Sequence, residues 1–129
     1  SKVLRTKSYA DSVWIGHYQL DLHPISGGDN YIVFATLPFE IPLGALIPHR
    51  LKNLIPASKN IGTTHLTNGC YRLHPVEWNI GEVAGILVSE SIAKSTDPEH
   101  FYRSKKLLSE FQDTLVKRGI EIRWPKTLR

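Results

Sequence analysis

The sequence has no methionine and a single cysteine, Cys70. A lone cysteine excludes an internal disulfide and a cysteine-rich zinc site. With no initiator residue, the chain reads as a processed or recombinant piece, Ser1 being the kind of residue a removed tag leaves. No apolar run approaches the about 20 residues needed to span a bilayer, and no signal-peptide pattern is present, so the localisation is left unknown. No G-x-G-x-x-G occurs, so the turn that wraps a dinucleotide pyrophosphate at a helix N-terminus is lacking. Gly27-Gly28 is followed by Asp29-Asn30 and no helical pattern, which reads as a turn. The histidines, His17, His23, His49, His65, His74 and His100, make no H-x-x-x-H or H-E-x-x-H pattern. His17 and His23 would lie about 20 Å apart along a strand. No metal site is expected.

What is present fits one domain of 129 residues, able to bury roughly two-thirds of its unfolded surface. Hydrophobic residues make up 41% and charged residues 22%, an ordinary balance for a globular protein. The net charge of +4 gathers at the ends, with Lys2, Arg5 and Lys7 on one side and Arg123, Lys126 and Arg129 on the other. Dispersed terminal bases read as solubilising ends, and neither a nucleic acid nor a membrane is expected as a partner.

Residues 12–23 alternate with period two, Trp14, Gly16, Tyr18, Leu20 and Leu22 against Ile15, His17, Gln19, Asp21 and His23, which predicts a half-buried antiparallel strand ended by Pro24. Tyr31 to Leu37 reads as a second strand, pairing with the first as a hairpin. Pro38, Pro42 and Pro48 exclude a helix or a regular central strand, so this stretch should run extended with Ile41, Leu43 and Leu46 as anchors. Leu54-Ile55-Pro56-Ala57 reads as a short apolar strand, although Pro56 cannot donate to a ladder.

Residues 75–93 carry the strongest helical signal. Pro75 suits the first helical position, Glu77 and Glu82 lie early, and Val76, Ile80, Val83 and Leu87 follow the helical template. Gly81 and Gly85 form a flat ridge that calls for a close neighbour, either a strand or a ligand ring. Thr96-Asp97-Pro98-Glu99 reads as a capping box opening a helix to about Arg118, with Phe101, Leu108, Phe111 and Leu115 on one side and Gly119 as its stop. Ile120, Ile122 and Trp124 alternate with Glu121 and Arg123 as a short final strand. The apolar side of helix 75–93 and strand 12–22 are expected to lie open unless another chain covers them, so a homo-oligomer is expected.

The densest chemistry lies in the loop at 58–74, which holds Ser58, Lys59, Asn60, Thr63, Thr64, His65, Thr67, Asn68, Arg72 and His74. These short hydroxyl and amide groups can bond a polyhydroxylated ligand or the loop's own backbone. The helix that follows presents a positive N-terminal end with free N–H groups, suited to an anionic edge. His65 and His74 can move protons near neutral pH, and Arg72 can hold a carboxylate or anion; each can equally be structural, Arg72 through a salt bridge to Glu77. Cys70, with no paired base, reads as buried and inert.

Residues 53–85, read as N-L-x-x-A-x-K-N-I-x-T-T-H-x-x-N-G-x-Y-R-x-H-P-V-E-W-N-I-G-E-x-A-G, together with Ile41-Pro42-Leu43-Gly44-Ala45-Leu46-Ile47-Pro48, resemble the C-terminal segment of bacterial FAD-dependent oxidoreductases of the glutathione-reductase-like superfamily. The resemblance implies an α+β or α/β fragment: antiparallel strands, then the last strand and flavin-facing helix of an FAD domain, then a C-terminal helix and short strand. It divides residues 1–129 into substrate-domain strands and crossover at 1–48, the FAD-domain strand, loop and helix at 49–95, and the C-terminal helix and strand at 96–129. It implies FAD as cofactor, with Ala57, Ser58, Lys59, Asn60, Thr64, Gly69, Pro75, Val76 and Glu77 on the cofactor and His65, Arg72 and His74 as the catalytic set. Ser58 stands where the superfamily usually has glycine, and the acidic residue many relatives place on the ribityl is absent. The implied partners are an N-terminal FAD-binding half and a small-molecule substrate. As an isolated chain the segment should bind FAD weakly or not at all and be inactive. The alternative is a standalone noncatalytic interaction module on the same scaffold.

Overall fold

A computed structural model describes residues 6–24, 26–28 and 31–125. Lys2, Arg5, Lys126, Arg129 and the Asp29-Asn30 half of the expected turn lie outside these residues. Among the described residues the order is β1 (Ser12–Gly16), β2 (Leu20–Leu22), β3 (Ile32–Phe34), β4 (Phe39–Pro42), a 3-10 turn (Leu43–Leu46), α1 (His65–Tyr71), α2 (His74–Ala93), α3 (Pro98–Arg103) and α4 (Lys105–Lys117). The fold is mixed α and β, with two small antiparallel sheets and four α-helices.

The single strand expected over 12–22 is two. Around residues 17–19 the ladder gives way to side-chain bonds: the His17 ring meets the Thr36 carbonyl at 3.2 Å, and the Thr36 hydroxyl donates to the Tyr18 carbonyl. On the far side of that break β2 pairs with β3, Leu20 opposite Phe34 and Leu22 opposite Ile32, which is the expected hairpin. On the near side β1 pairs with β4, Ile15 opposite Glu40 and Gly16 opposite Phe39. A strand at Phe39–Pro42 is compatible with Pro42 because the sheet has two strands, so each keeps an open edge where a missing N–H costs no ladder bond. Ile41, Leu43 and Leu46 are fully buried, as anchors should be.

Residues 54–57 form no strand. Pro56 is buried but has no N–H to give, and Leu54 stays exposed, so neither pairing nor burial stabilises an extended ladder there. Within the stretch read as a loop at 58–74, α1 forms instead. The Thr64 hydroxyl accepts from Thr67 N–H at 3.1 Å while the Thr67 hydroxyl accepts from Thr64 N–H at 2.8 Å, a reciprocal cap that starts the helix. A Cβ on Gly69 would come within 2.8 Å of Leu20 Cδ1 and 3.2 Å of the Asp21 carbonyl, so glycine is what lets α1 lie directly on β2.

The longest element is α2, whose start at His74 places Pro75 second. Val76, Ile80, Val83 and Leu87 are buried as the spacing predicts. Of the two ridge glycines, Gly81 has the close neighbour, the Ala57 carbonyl 3.0 Å from where a Cβ would stand; Gly85 faces open space. The single helix expected from Pro98 to Arg118 is split at Ser104, whose backbone is extended and whose hydroxyl accepts from Leu107 N–H at 3.3 Å to restart the chain as α4. The expected capping box at 96–99 is also absent. Thr96 bonds the His100 ring at 3.2 Å, Glu99 turns to Arg103, and the N-cap is Asp97 without a side-chain bond. Gly119, at φ +86, ends α4 in the left-handed conformation that glycine adopts without strain.

No final strand forms over 120–124. The segment is held to the β1–β4 sheet by side chains: Ser12 Oγ donates to the Ile122 carbonyl at 2.7 Å, and Trp124 Nε1 to the Phe39 carbonyl at 2.9 Å. Arg123, expected as a solubilising end, is instead a clasp. Its guanidinium donates to the Tyr9 carbonyl at 2.7 Å and the Glu40 carboxylate at 3.2 Å.

One apolar cluster joins Val13, Ile41 and Leu46 to Val83 and Leu87 of α2 and to Phe101, Phe111 and Leu115. The apolar side of α2 and the inner face of β1 are therefore covered by the chain itself, contrary to the expectation that they lie open. The exposed apolar surface is elsewhere: Tyr31, Val33 and Phe34 on the β2–β3 ribbon, Leu66, Trp78 and Ile92.

Candidate functional site

Four of the expected residues meet at one carboxylate. Glu77, in the first turn of α2, is buried although its neighbours at 57–60 are exposed. One of its oxygens takes His74 Nδ1 at 2.5 Å; the other takes Ser58 Oγ at 3.0 Å and lies 3.6 Å from Lys59 Nζ. The His74 hydrogen bond, then those of Ser58 and the Lys59 charge, hold the Glu77 carboxyl below the usual range, against the opposing effect of burial. An ionised Glu77 must receive a proton from Nδ1, which leaves Nε2 of His74 as the outward nitrogen, with the ring mostly exposed. That ring lies nearly parallel to Trp78, centroids 6.2 Å apart and planes at 26°, and Trp78 is itself 70% exposed. The start of α2 is thus a flat aromatic surface beside a partly exposed ammonium. It has fewer free donors than a helix start usually offers, because Pro75 has no N–H and those of Val76 and Glu77 both reach the Leu73 carbonyl at 2.9 Å.

The other expected residues are elsewhere. Asn60 Oδ1 accepts from Ser58 N–H at 3.3 Å, fixing the turn. Ala57 supplies the carbonyl against Gly81. Thr64 is the cap of α1, Gly69 its contact with β2, and Val76 a core residue. Cys70 is buried, and burial pushes its thiol up, as an inert cysteine requires.

His65 and Arg72 do not join the Glu77 group. They line a second place, a cleft of about 360 Å³ between β2 and α1, together with Asp21, His23, Asn68 and Gly69. Arg72 does not pair with Glu77. Its Nη2 donates to the Asp21 carbonyl at 2.9 Å and to Asp21 Oδ2 at 3.2 Å, and the His23 ring meets the same Oδ2 at 3.2 Å. The expected catalytic trio is therefore divided between a carboxylate group and a cleft. Asp21 and His23 are the residues that spacing could not reveal. Asp21 and Arg72 stand 51 positions apart and meet only because Gly69 lets α1 seat on β2.

Among the described residues no group of three or more His, Cys, Asp or Glu side chains is arranged for a metal ion, and no helix is long and apolar enough to cross a membrane. Comparison with curated proteins gives no match, and comparison with solved structures gives none either. A family model described as FAD dependent oxidoreductase matches residues 1–115, which takes in both the Glu77 group and the β2–α1 cleft. The chain belongs to the FAD dependent oxidoreductase family.

Proposed function

We propose that this chain supplies the C-terminal, flavin-side part of an FAD-dependent oxidoreductase of the glutathione-reductase-like kind, and that it works with a second segment carrying the glycine-rich pyrophosphate turn it lacks. The observation that carries the reading is the convergence of Ser58, Lys59 and His74 on Glu77 at the start of a 20-residue helix, within the region matched by the family. The residues present fit a flavin in two respects. Lys59 keeps half of its side chain in solvent, so its ammonium has donors left for an anionic group. The His74–Trp78 pair is a flat surface against which a conjugated ring can lie. Ser58, Lys59 and Asn60 would hold the polar part of FAD, and His74 and Trp78 its ring side. Bound FAD would supply hydride acceptance.

The chain's own residues would do the rest. Glu77 fixes the imidazole plane of His74 and leaves Nε2 able to take or give a proton. His65 and Arg72 face the β2–α1 cleft and would hold substrate there, Arg72 with its plane set by Asp21. By itself the chain should be inactive, since most FAD affinity in such folds comes from the pyrophosphate turn.

Titration of the purified chain with FAD, followed by flavin fluorescence, tests this. The expected binding is weaker than about 1 μM. It should weaken further in Lys59→Ala. Submicromolar binding would overturn the need for a second segment, and binding equal in wild type and Lys59→Ala would remove the Glu77 group from the cofactor side.

A further inference from the structure

The cleft between β2 and α1 holds more hydrogen-bonding capacity than the fold uses. A guanidinium has five N–H donors in a fixed plane. In Arg72 only Nη2 is engaged, with the Asp21 carbonyl and Oδ2; Nε and Nη1 have no hydrogen-bond partner among the described residues. The imidazole of His65 and the side-chain amide of Asn68, both on this cleft, likewise make no hydrogen bond there. His23 uses Nε2 on Asp21 and leaves Nδ1 open. The Asp21 carboxylate is half engaged: Oδ2 accepts from Arg72 and meets the His23 ring, while Oδ1 is buried out of reach of the cleft with no hydrogen-bond partner among the described residues. Donors thus line the cleft, while its negative group is locked behind the arginine.

We infer that this cleft binds a small organic monocarboxylate carrying a second polar group, such as a hydroxyl, next to the acid. Three features select that class. The volume of about 360 Å³ lies at the low end of ligand-sized cavities. A planar donor edge with its orientation fixed by Asp21 matches the two oxygens of a carboxylate in fork geometry. The Arg72–Asp21 pair cancels in formal charge, so binding comes from directional bonds rather than from a surplus of positive charge, which disfavours a phosphate dianion beside Asp21. The second polar group then meets Asn68 and His65. Asp21 and His23 act as positioning residues that hold Arg72 in plane.

The inference deepens the reading of His65 and Arg72 as substrate-side residues by naming the substrate class. Its test needs no flavin, so it can fail while FAD binding stands, and the reverse. Glycolate, a hydroxy monocarboxylate, is the probe. It is titrated into the 15N-labelled chain at constant ionic strength, with inorganic phosphate in a parallel series, reading the Arg72 Nε–H and Asn68 side-chain resonances. The expected result is saturable shifts at those two groups at about millimolar concentration, with no saturable response to phosphate. His65→Ala, in which no hydrogen bond of the fold is lost, should weaken glycolate at least threefold with an unchanged melting temperature. Arg72→Lys, which can keep a charge on Asp21 but lacks the planar fork, should abolish saturation while amide dispersion stays native. Shifts that are dispersed or do not saturate overturn the inference. So does tighter binding of phosphate than of glycolate at the same groups, or wild-type glycolate affinity in both variants.

Discussion

At the scale of the residue, Glu77 is where local chemistry is most concentrated. A carboxyl held below its usual range stabilises the folded state at pH values above the unfolded carboxyl range, and that contribution disappears as pH falls through the lower, folded value. Melting temperature measured from about pH 6 downward should therefore fall more steeply in the wild type than in Glu77→Gln, the difference opening below about pH 4.3, the ordinary glutamate value. Glu99, held low by Arg103, is common to both proteins and cancels from the comparison. Parallel curves for the two would mean that the His74 and Ser58 bonds do not survive in solution. This grouping was half legible in the sequence. Pro75-Val76-Glu77 marks a helix start, and Ser58-Lys59 a polar turn, but that the turn folds back onto the helix is a tertiary fact with a separation of 19 residues. The alternative of a structural salt bridge from Arg72 to Glu77 fails for the same reason. The arginine's partner, Asp21, is far away in sequence, whereas Glu77 was the acid closest at hand.

Among the elements, the two glycines of α2 give a paired experiment. Both cost helix stability through backbone freedom, by roughly 0.5–1 kcal/mol relative to alanine. At Gly85, where a Cβ meets nothing within 4 Å, alanine should recover that amount and raise the chemical-denaturation midpoint. At Gly81 the Ala57 carbonyl stands 3.0 Å away, so alanine must displace the 57–60 loop and should gain less or lose. Equal stabilisation by both substitutions would show that the loop does not rest on α2. Periodicity located α2 to within one residue and found its buried face, because a long amphipathic pattern carries its own phase. It failed on short elements. α1 has seven residues and too few apolar positions to show a period, and its signal, Thr64 with Thr67, differs from the usual capping box in having threonine at the third position. The alternation at 120–124 did mark which side chains turn inward, but the segment docks through side chains and has no ladder partner.

Over the whole molecule, the longest consecutive run of exposed apolar side chains among the described residues, Tyr31 to Phe34, lies on the β2–β3 ribbon. Tyr31 and Phe34 are each more than 60% exposed, and β3 is an edge strand of a two-stranded sheet. Such an edge pairs readily with another chain. Multi-angle light scattering should show a species above the 14.6 kDa monomer at high concentration, and Val33→Lys, a charge on that edge, should restore the monomer. A clean monomer of the unaltered chain at all concentrations would count against it. The composition made a single core legible, and all three stretches of the chain contribute to it. Which face would be left uncovered was not legible, because that depends on how the stretches meet.

The clasp around Ser12 has a temporal side. The carbonyls of Ala10 and Ser12 are met by the Gln112 amide, the Ser12 hydroxyl by Ile122 and the Tyr9 carbonyl by Arg123, so β1 and the turn before it are completed by residues made about 100 positions later. The separation between Ser12 and Ile122 is 110 positions, and at synthesis rates of about 5–20 residues per second the strand waits on the order of 5–20 s. Throughout that interval the β1–β4 pair lacks these side-chain bonds and keeps both outer edges open. Nascent chains are thus most exposed to mispairing at β1 before residues 112–123 arrive, and synthesis stalled short of residue 112 would prolong that interval.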